Sequence, residues 1–470
     1  MMSLAYAPFL RPAIALLAAF PLVAGEGVRI DSIQPGPNGV LLEWFPGTGD
    51  DRYFVQRRAT WGEDLWLTPR GATPWPQTAT TWLDTQALQD PAAFYRVVSV
   101  PPIPRGQIVS SVPTQRIPKG DVQALLALMG VPMVPGFDVQ VVKVIYPTPD
   151  AHGLRNDASG LILLPVGASN SVPMMTYQHG TLIQKSDAPS VSTTSLEFLV
   201  GVVFASSGYI AVLPDYLGLG DSAGFHPYHH AASEATAAVD LLRAAREYSV
   251  EAQITWNRQL FVCGYSQGGH AAAALHRELE EYHADEFTIT ASALMAGAYD
   301  LSGVTADDLL SDRAQPNPYY FAYLLAAYQE IYRFAPGLAE ILSAPYDTTL
   351  PPLLDGKTGS SAINAAMPAQ PWKTLKPEVL AAFKTNPRHP LRLALADNDL
   401  IDWTPRAPTR LYHCSGDLDV PPLNSMVARD QFRSRGADVD LIDPQPGAAH
   451  GECALPALLA AKQWFDSLKQ

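Results

Sequence analysis

Cysteine and charge are both scarce in this sequence of 470 residues. Three cysteines are too few for a scaffold built on disulfide bonds, although they allow a single bridge. Charged residues make up 17% of the chain and apolar residues 47%, so the composition excludes intrinsic disorder and supports a large core. The formal net charge of −14 argues against a nucleic acid partner, because phosphate binding depends on clustered Lys and Arg.

Long apolar runs are also lacking, and none reaches the roughly 20 residues that a transmembrane helix needs. The apolar stretch over residues 12–23 follows Arg11 and ends in the small residues Ala24 and Gly25. This pattern predicts a cleaved signal peptide over residues 1–25, hence an exported protein, secreted or periplasmic, with no transmembrane segment. Because a single positive charge precedes the apolar stretch, a buried or unstructured N-terminus is the alternative.

Proline, by contrast, is abundant, and 42 prolines in a chain that must fold belong to ordered loops and linkers. Residues 26–101 alternate short segments rich in β-branched and aromatic residues with Gly/Pro turn clusters, which predicts a small β-sandwich. This region resembles a fibronectin type III-like domain. The resemblance lies in the segment around Trp44, the turn after it, and the Phe-Tyr-Arg-Val segment at residues 94–97. We expect this domain to be a spacer or to contact a surface or a polysaccharide, and residues 101–104 to form a stiff linker.

Over residues 105–470 the pattern changes to alternating strands and helices. Buried parallel strands are predicted at the apolar runs 174–177, 209–213, 260–263 and 410–414. An amphipathic helix is predicted over residues 233–248, with Ser233 as its N-cap. This alternation predicts an α/β fold, in which helices cover both faces of a mostly parallel sheet.

The motif Gly264-x-Ser266-x-Gly268 lies between a predicted strand and a helix of small residues. Such a context is required for a nucleophile elbow, in which a strained turn lifts the serine hydroxyl away from the sheet. Side chains at the two glycine positions would clash with the neighbouring strand and helix. Ser266 is therefore the predicted nucleophile.

A serine nucleophile needs a base, and the base needs an acid that orients it. In proteins with such an elbow, the serine comes first in the sequence, then the acid, then the histidine. Two loops downstream of Ser266 fit this order. Asp417 begins an Asp-x-x-Val-Pro sequence after a late predicted strand, and Asp419 is its rival as the acid. His450 is the predicted base, since it lies in a Gly-rich loop between the strand 439–442 and a helix at 455–468.

Attack by Ser266 leaves negative charge on a carbonyl oxygen, which backbone N–H groups must stabilise. One predicted donor is the N–H of Gln267, and the second is that of Gly180 or Thr181, in the loop after an earlier strand. We expect His179 in the same loop to shape it by hydrogen bonding rather than to act as a base.

Several stretches of the chain follow one another in a characteristic order: residues 177–181, 214–220, 264–269, 414–421 and 450–453. In this order they resemble the secretory lipase family of α/β-hydrolases, the lipase A type, over residues 105–470. The resemblance implies hydrolysis of a small-molecule or lipid ester through an acyl-enzyme, without a cofactor, and it favours Asp417 over Asp419. It also implies a helical cap inserted at about residues 298–408, whose aromatic segment either lines an acyl pocket or forms the core of the cap.

Two of the three cysteines lie beside the predicted acid and base. Cys414 precedes Asp417 by three residues, and Cys453 follows His450 by three. In an exported protein we expect a disulfide between Cys414 and Cys453, and a pair of buried free thiols is the alternative. Cys263, within a predicted strand, is expected to be an unpaired packing residue.

A group of histidines, His226, His229 and His230, lies close to Asp221 in the sequence. Their spacing matches no strong metal-ligand motif, and they stand just before a predicted helix. We therefore expect a solvated loop and no metal ion at this place.

Two other functions remain as alternatives to ester hydrolysis. A serine peptidase or amidase would use the same triad, since the fold does not decide the substrate. A non-catalytic binding or adhesion protein would act through the β-sandwich, but the presence of Ser266, His450 and an acidic loop disfavours this reading.

Overall fold

The computed structural model describes residues 28–47, 51–58, 65–70, 75–87, 92–168 and 171–470. The chain divides into two compact units, Met1–Pro102 and Ile103–Gln470. The predicted signal peptide over residues 1–25 lies outside the described residues. Within the described part of the chain, no helix combines the length and the apolar character needed to cross a membrane.

The first unit is built from short strands. These are β1 (Ile30–Gly36), β2 (Gly39–Trp44), β3 (Arg52–Arg58), β4 (Thr81–Asp84) and β5 (Phe94–Val100). They form two antiparallel sheets, in the orders β1-β2-β4 and β3-β5. Alternate residues of β2 and β3, among them Leu42, Trp44 and Val55, are buried in one apolar core, as the period of two in half-buried strands requires. The likeness to a fibronectin type III-like domain stays a prediction.

The second unit contains one large mixed sheet. Its strands are β6 (Ser110–Ile117), β7 (Asp138–Pro149), β8 (Arg155–Val166), β9 (Val172–Gln178), β10 (Ile210–Pro214), β11 (Trp256–Tyr265), β12 (Ile289–Met295), β13 (Thr409–Tyr412) and β14 (Val439–Ile442). The order across the sheet is β14-β13-β12-β11-β9-β10-β8-β7-β6. Strands β9 to β14 pair with one another in parallel. Every pair that involves β6, β7 or β8 is antiparallel. The predicted α/β fold with a mostly parallel sheet is confirmed.

Helices cover both faces of this sheet. The α-helices described in this unit are, in chain order, α1 (Lys119–Leu128), α2 (Leu196–Ser206), α3 (Ala231–Glu251), α4 (Gln267–Tyr282), α5 (Ala306–Leu309), α6 (Tyr319–Tyr332), α7 (Tyr346–Thr349), α8 (Ser360–Ala365), α9 (Pro377–Thr385), α10 (Pro390–Asp397), α11 (Leu423–Ser434) and α12 (His450–Leu468). One face packs against α3, α4 and α11, and the other against α1, α2 and α12. Every residue of β9 and β10 is buried as a result, which explains why these strands are continuous apolar runs in the sequence.

Helix α3 begins two residues before the predicted start, at Ala231. Its N-cap is His230 rather than Ser233, because the imidazole Nδ1 of His230 accepts a hydrogen bond from the Ser233 N–H. A ring nitrogen can satisfy an orphan N–H of the first helical turn as a serine oxygen does. The predicted cap was wrong for this reason.

Helices α5–α10 and a short π-helix at Leu301–Thr305 lie between β12 and β13, where the sequence predicts a cap. The large apolar and aromatic residues of α6 are mostly buried in one apolar cluster of this region, namely Tyr319, Phe321, Tyr323, Leu324, Leu325 and Tyr328. The same cluster includes Ile183 and Tyr228, which precede α3 in the chain. The aromatic segment therefore packs mainly inside this inserted region.

Candidate active site

Ser266 lies at the turn between β11 and α4, with its backbone in the left-handed region at a φ of 62°. A non-glycine residue with this conformation is strained, as a nucleophile elbow requires. A Cβ atom on Gly264 would lie 2.0 Å from the carbonyl oxygen of Gly268, and a Cβ atom on Gly268 would lie 1.9 Å from that of Gln178. Both glycines are therefore required because the strand, the turn and the helix approach so closely.

Ser266, His450 and Asp417 come together although they are distant in the sequence. The distance from His450 Nε2 to Ser266 Oγ is 2.8 Å, and that from His450 Nδ1 to Asp417 Oδ2 is 2.5 Å. All three residues are buried. The hydroxyl of Tyr265 also donates to the carbonyl oxygen of His450 at 2.6 Å, which anchors the backbone of the histidine. This arrangement places an imidazole where it can accept the serine proton.

His450 is the first residue of α12 and does not lie in a loop, so that part of the prediction was wrong. The side chain of Glu452 accepts a hydrogen bond from the Ala449 N–H at 3.1 Å, which starts the helix before the predicted position 455. The histidine is thus attached to a long helix, which restricts its movement.

The two candidate acids point in different directions. Asp417 Oδ2 faces His450, while Asp417 Oδ1 accepts hydrogen bonds from the N–H groups of Asp419 and Val420, both at 2.9 Å. The carboxylate of Asp419 instead accepts a hydrogen bond from Asn317 Nδ2, in the cap region, at 2.6 Å. Of the two candidate acids, Asp417 is therefore the one whose carboxylate contacts the imidazole of His450.

A second histidine, His413, contacts the same carboxylate, and the sequence prediction missed it. His413 Nε2 lies 3.1 Å from Asp417 Oδ2, and His413 Nδ1 lies 2.7 Å from Ser425 Oγ. Burial raises the pKa of Asp417, but the hydrogen bonds from His413 and His450 lower it more, so this pKa lies below its usual range. The only sequence signal for His413 is its place directly after β13, four residues before Asp417.

The predicted oxyanion donors lie next to Ser266. Gln267 is the first residue of α4, so its N–H is one of the orphan donors of that helix. A Cβ atom on Gly180 would lie 3.8 Å from Ser266 Cβ, which places the loop of Gly180 and Thr181 beside the serine. The Gly180 N–H, however, donates to Glu197 Oε1 at 3.2 Å. Between the two candidates in this loop, Thr181 is therefore favoured as the second donor.

His179 is fully buried, as its predicted role in shaping this loop requires. Its Nδ1 atom lies 2.7 Å from the carbonyl oxygen of Gly180, and its Nε2 atom lies 3.1 Å from that of Asp215. The ring thus connects the loop after β9 to the end of β10.

The histidines before α3 do not lie in a solvated loop, and that expectation was wrong. His226, His229 and His230 are all buried, because this segment packs against α6 of the cap. Burial lowers the pKa of His226 and His230 to about 4 and that of His229 to about 3. Asp221, which was grouped with them in the sequence, forms an ion pair with Lys143 at 2.7 Å.

A buried carboxylate on α3, Glu234, contacts the helix that follows the nucleophile. Its Oε1 atom accepts a hydrogen bond from Gln267 Nε2 at 2.8 Å, and its Oε2 atom lies 2.8 Å from His270 Nδ1. Burial raises the pKa of Glu234, but the interaction with His270 outweighs it and the pKa falls to about 2. The sequence prediction missed this residue, and its signal is an acidic side chain on the apolar face of an alanine-rich helix.

Cys414 and Cys453 form a disulfide bond. The bridge joins the segment after β13, which carries Asp417, to the first turn of α12, which carries His450. Cys263 is a free cysteine buried in β11, and burial raises the pKa of its thiol.

Replacing both bridge cysteines, as Cys414→Ser with Cys453→Ser, is expected to lower the free energy of unfolding by about 4 kcal/mol, because the bridge closes a loop with a sequence separation of 39. We also expect kcat to fall, since the acid and the base gain freedom relative to each other. Urea denaturation and steady-state kinetics measure the two effects. Cys263→Ala keeps the bridge and is the control for kcat; an unchanged free energy of unfolding in the double variant would contradict the prediction.

A model of the secretory lipase family matches residues 183–323. Among solved structures, a hydrolase from Legionella pneumophila is 26% identical with a TM-score of 0.71, over 77% of this chain and 98% of that one. A ligand-bound form of the rice cell wall degrading esterase LipA from Xanthomonas oryzae is 30% identical with a TM-score of 0.68, over 76% and 95%. Candida antarctica lipase A in its closed state shares the fold, at 16% identity and a TM-score of 0.59, over 78% and 83%. No curated protein matches the chain in sequence.

The α/β fold and these likenesses to a secretory lipase model and to an esterase define the class of protein, which is a carboxylic ester hydrolase. An identity of 30% over nearly the full length of the Xanthomonas esterase goes beyond a shared fold. The chain belongs to the secretory lipase family.

Proposed function

We propose that this chain is an exported esterase or lipase that hydrolyses small-molecule or lipid esters through Ser266, His450 and Asp417. The observation that carries the proposal is the continuous hydrogen-bonded chain from the Ser266 hydroxyl through both ring nitrogens of His450 to the Asp417 carboxylate. The strained backbone of Ser266 supports it too, since this strain is the property of a nucleophile elbow.

The reaction follows from the positions of these atoms. His450 Nε2 takes the proton of Ser266 while Ser266 Oγ attacks the ester carbonyl carbon. The N–H groups of Gln267 and Thr181 stabilise the negative oxygen of the tetrahedral intermediate. His450 then gives the proton to the departing alcohol, which leaves an acyl-enzyme. A water molecule, deprotonated by the same imidazole, attacks the acyl group, and the carboxylic acid leaves as Ser266 regains its proton.

Asp417 acts through the imidazole and not on the substrate. Its carboxylate accepts the hydrogen bond from Nδ1 of His450, which keeps Nε2 facing the serine, and it stabilises the imidazolium that forms during each step. The lowered pKa of Asp417 supports this role, because only the ionised carboxylate stabilises a positive ring.

Export is supported by the disulfide between Cys414 and Cys453, since such bonds persist in oxidising compartments. The signal peptide over residues 1–25 and the fibronectin type III-like module over residues 26–101 belong to the same proposal. The module would serve as a spacer or as a contact to a surface or a polysaccharide.

A second candidate substrate class is an ester carried by a plant cell wall polysaccharide. The Xanthomonas esterase is described as rice cell wall degrading, and it resembles this chain at 30% identity. This substrate would give the module over residues 26–101 a role in holding the enzyme on the polymer.

A panel of p-nitrophenyl esters from acetate to palmitate, acetylated xylan, and p-nitroanilides with matched acyl groups tests the proposed function. We expect ester hydrolysis to exceed hydrolysis of the matched anilides by at least about 10³-fold, because the anilide is the harder substrate for the same triad. A fluorophosphonate should label Ser266, as peptide mass analysis can measure. Labelling at another residue would refute the assignment of Ser266 as the nucleophile. Equal rates on anilides and esters would refute ester hydrolysis as the function, in favour of a peptidase or amidase.

A further inference from the structure

His229, Glu234 and His270 bring three metal-ligating side chains together inside the protein. One ring nitrogen of each histidine and one carboxylate oxygen of Glu234 lie within 4.8 Å of one another. All three residues are buried, and Glu234 and His270 are almost completely so. None of the three takes part in the proposed reaction. Ester hydrolysis therefore does not explain why a carboxylate is buried between two imidazoles.

The surroundings of His270 require a positive species beside its ring. His270 Nε2 lies 3.0 Å from the carbonyl oxygen of Asn398, an acceptor, so this nitrogen carries a proton and donates it. His270 Nδ1 lies 2.8 Å from Glu234 Oε2. If the ring is neutral and its proton is on Nε2, Nδ1 carries a lone pair and is an acceptor. Two acceptor atoms approach this closely only when a proton or a metal cation lies between them. The donation from Nε2 to a backbone carbonyl is also the contact that orients a metal-bound histidine.

His229 supplies a second lone pair. Its Nδ1 atom is buried and has no hydrogen-bond partner among the described residues. A buried ring nitrogen without a hydrogen-bond partner is available to ligate a cation. The backbone of His229 lies in the left-handed region at a φ of 55°, and the hydroxyl of Tyr328 donates to its carbonyl oxygen at 3.0 Å. A strained backbone held in place by a cap residue is typical of a functional position.

We propose that His229 Nδ1, Glu234 Oε2 and His270 Nδ1 bind one Zn²⁺ ion, with water as the fourth ligand. Two neutral imidazoles and one carboxylate are a donor set that Zn²⁺ accepts, and the cation would neutralise a carboxylate that is otherwise buried with its negative charge. A tetrahedral Zn²⁺ ion spaces its ligand atoms by about 3.3 Å, so the contact between Glu234 and His270 would open slightly and His229 would move inward.

The site would act on the catalytic centre through one hydrogen bond and not through the chemistry of the ester. The other carboxylate oxygen of Glu234 accepts a hydrogen bond from the side chain of Gln267, the residue directly after the nucleophile. A metal ion on Glu234 would therefore fix α3 and the start of α4 relative to each other. The inference goes beyond ester hydrolysis and does not depend on which residues form the triad.

Metal content of the intact protein tests the proposal. Protein treated with a chelator and then incubated with ZnCl₂ should retain about one zinc per chain after gel filtration, measured by inductively coupled plasma mass spectrometry. Incubation with CoCl₂ should give the intense visible absorption of tetrahedral cobalt. Added ZnCl₂ should also raise the Tm of the chelated protein, because a ligand that binds only the folded state stabilises it.

His229→Asn is the matched variant, because Asn tolerates the left-handed backbone at this position and removes the imidazole. It should fold with an unchanged circular dichroism spectrum, lose zinc retention by at least about tenfold, and lose the rise in Tm. Glu234→Gln should lose zinc as well. His152→Ala, which removes an exposed histidine, should retain the metal. Equal zinc retention by the wild type and His229→Asn, or no retention by the wild type together with no cobalt absorption, would overturn the proposal and leave a proton between Glu234 and His270.

Discussion

Ser266→Ala is expected to lower kcat on p-nitrophenyl butyrate by about 10⁵- to 10⁶-fold, because the acyl-enzyme needs the serine oxygen and the remaining groups assist only water. The substitution removes one oxygen atom and leaves the backbone, so the residual rate should come from the oxyanion donors and substrate binding. Steady-state kinetics on the purified variant, with the Tm measured alongside, separates lost chemistry from lost folding.

The matched control for this variant is Ser434→Ala, which removes an exposed hydroxyl near the end of α11. It should retain the activity of the wild type. A Ser266→Ala protein that keeps its Tm and more than about a hundredth of the wild-type kcat would refute the assignment of the nucleophile, since loss of the nucleophile costs far more than that.

Asp417→Asn is expected to lower kcat by about 10⁴-fold. Two backbone N–H groups hold the amide oxygen at the Oδ1 position, so the amide nitrogen takes the Oδ2 position and donates to His450 Nδ1. This favours the wrong tautomer of His450, and the neutral amide no longer stabilises the imidazolium. Asp419→Asn changes a half-buried carboxylate that contacts Asn317 in the cap region, so we expect a loss of less than about tenfold. The comparison of the two variants under identical conditions measures which carboxylate orients the base.

The pH dependence of kcat/KM separates a catalytic effect of Asp417→Asn from general damage. A triad acid changes the protonation behaviour of its histidine, so the acid limb of the profile should shift in this variant and should not shift in Asp419→Asn. Equal losses in the two variants, or a larger loss for Asp419→Asn, would contradict the geometry around His450.

Much of the fold could be predicted from local patterns. Buried strands such as β9 and β10 lie between two helical layers and so appear as continuous apolar runs, and the alternation with helices indicates an α/β fold. The same patterns do not distinguish parallel from antiparallel pairing, because an apolar run looks alike in both. The antiparallel β6, β7 and β8 at one edge of the sheet were not foreseen for that reason.

Some features of the candidate site could also be predicted from the sequence, and others could not. The elbow around Ser266 could be found because its glycines are required by contacts with adjacent residues and with one neighbouring strand. The contacts of Glu234 and His413 could not be found, since each depends on where a side chain points after the chain has folded. The histidines before α3 look like residues of a solvated loop in the sequence, and they are buried because α6, about a hundred residues later, packs over them.

The sequence by itself determined the class of fold, the nucleophile motif, and the order in which serine, acid and histidine occur along the chain. Only the tertiary structure decided that the carboxylate facing His450 belongs to Asp417 and that Asp419 faces the cap region. It also decided that Gly180 uses its N–H on Glu197. The physical reason is that local sequence specifies backbone conformation and burial, whereas a hydrogen bond between groups far apart in the chain depends on the packing of whole elements.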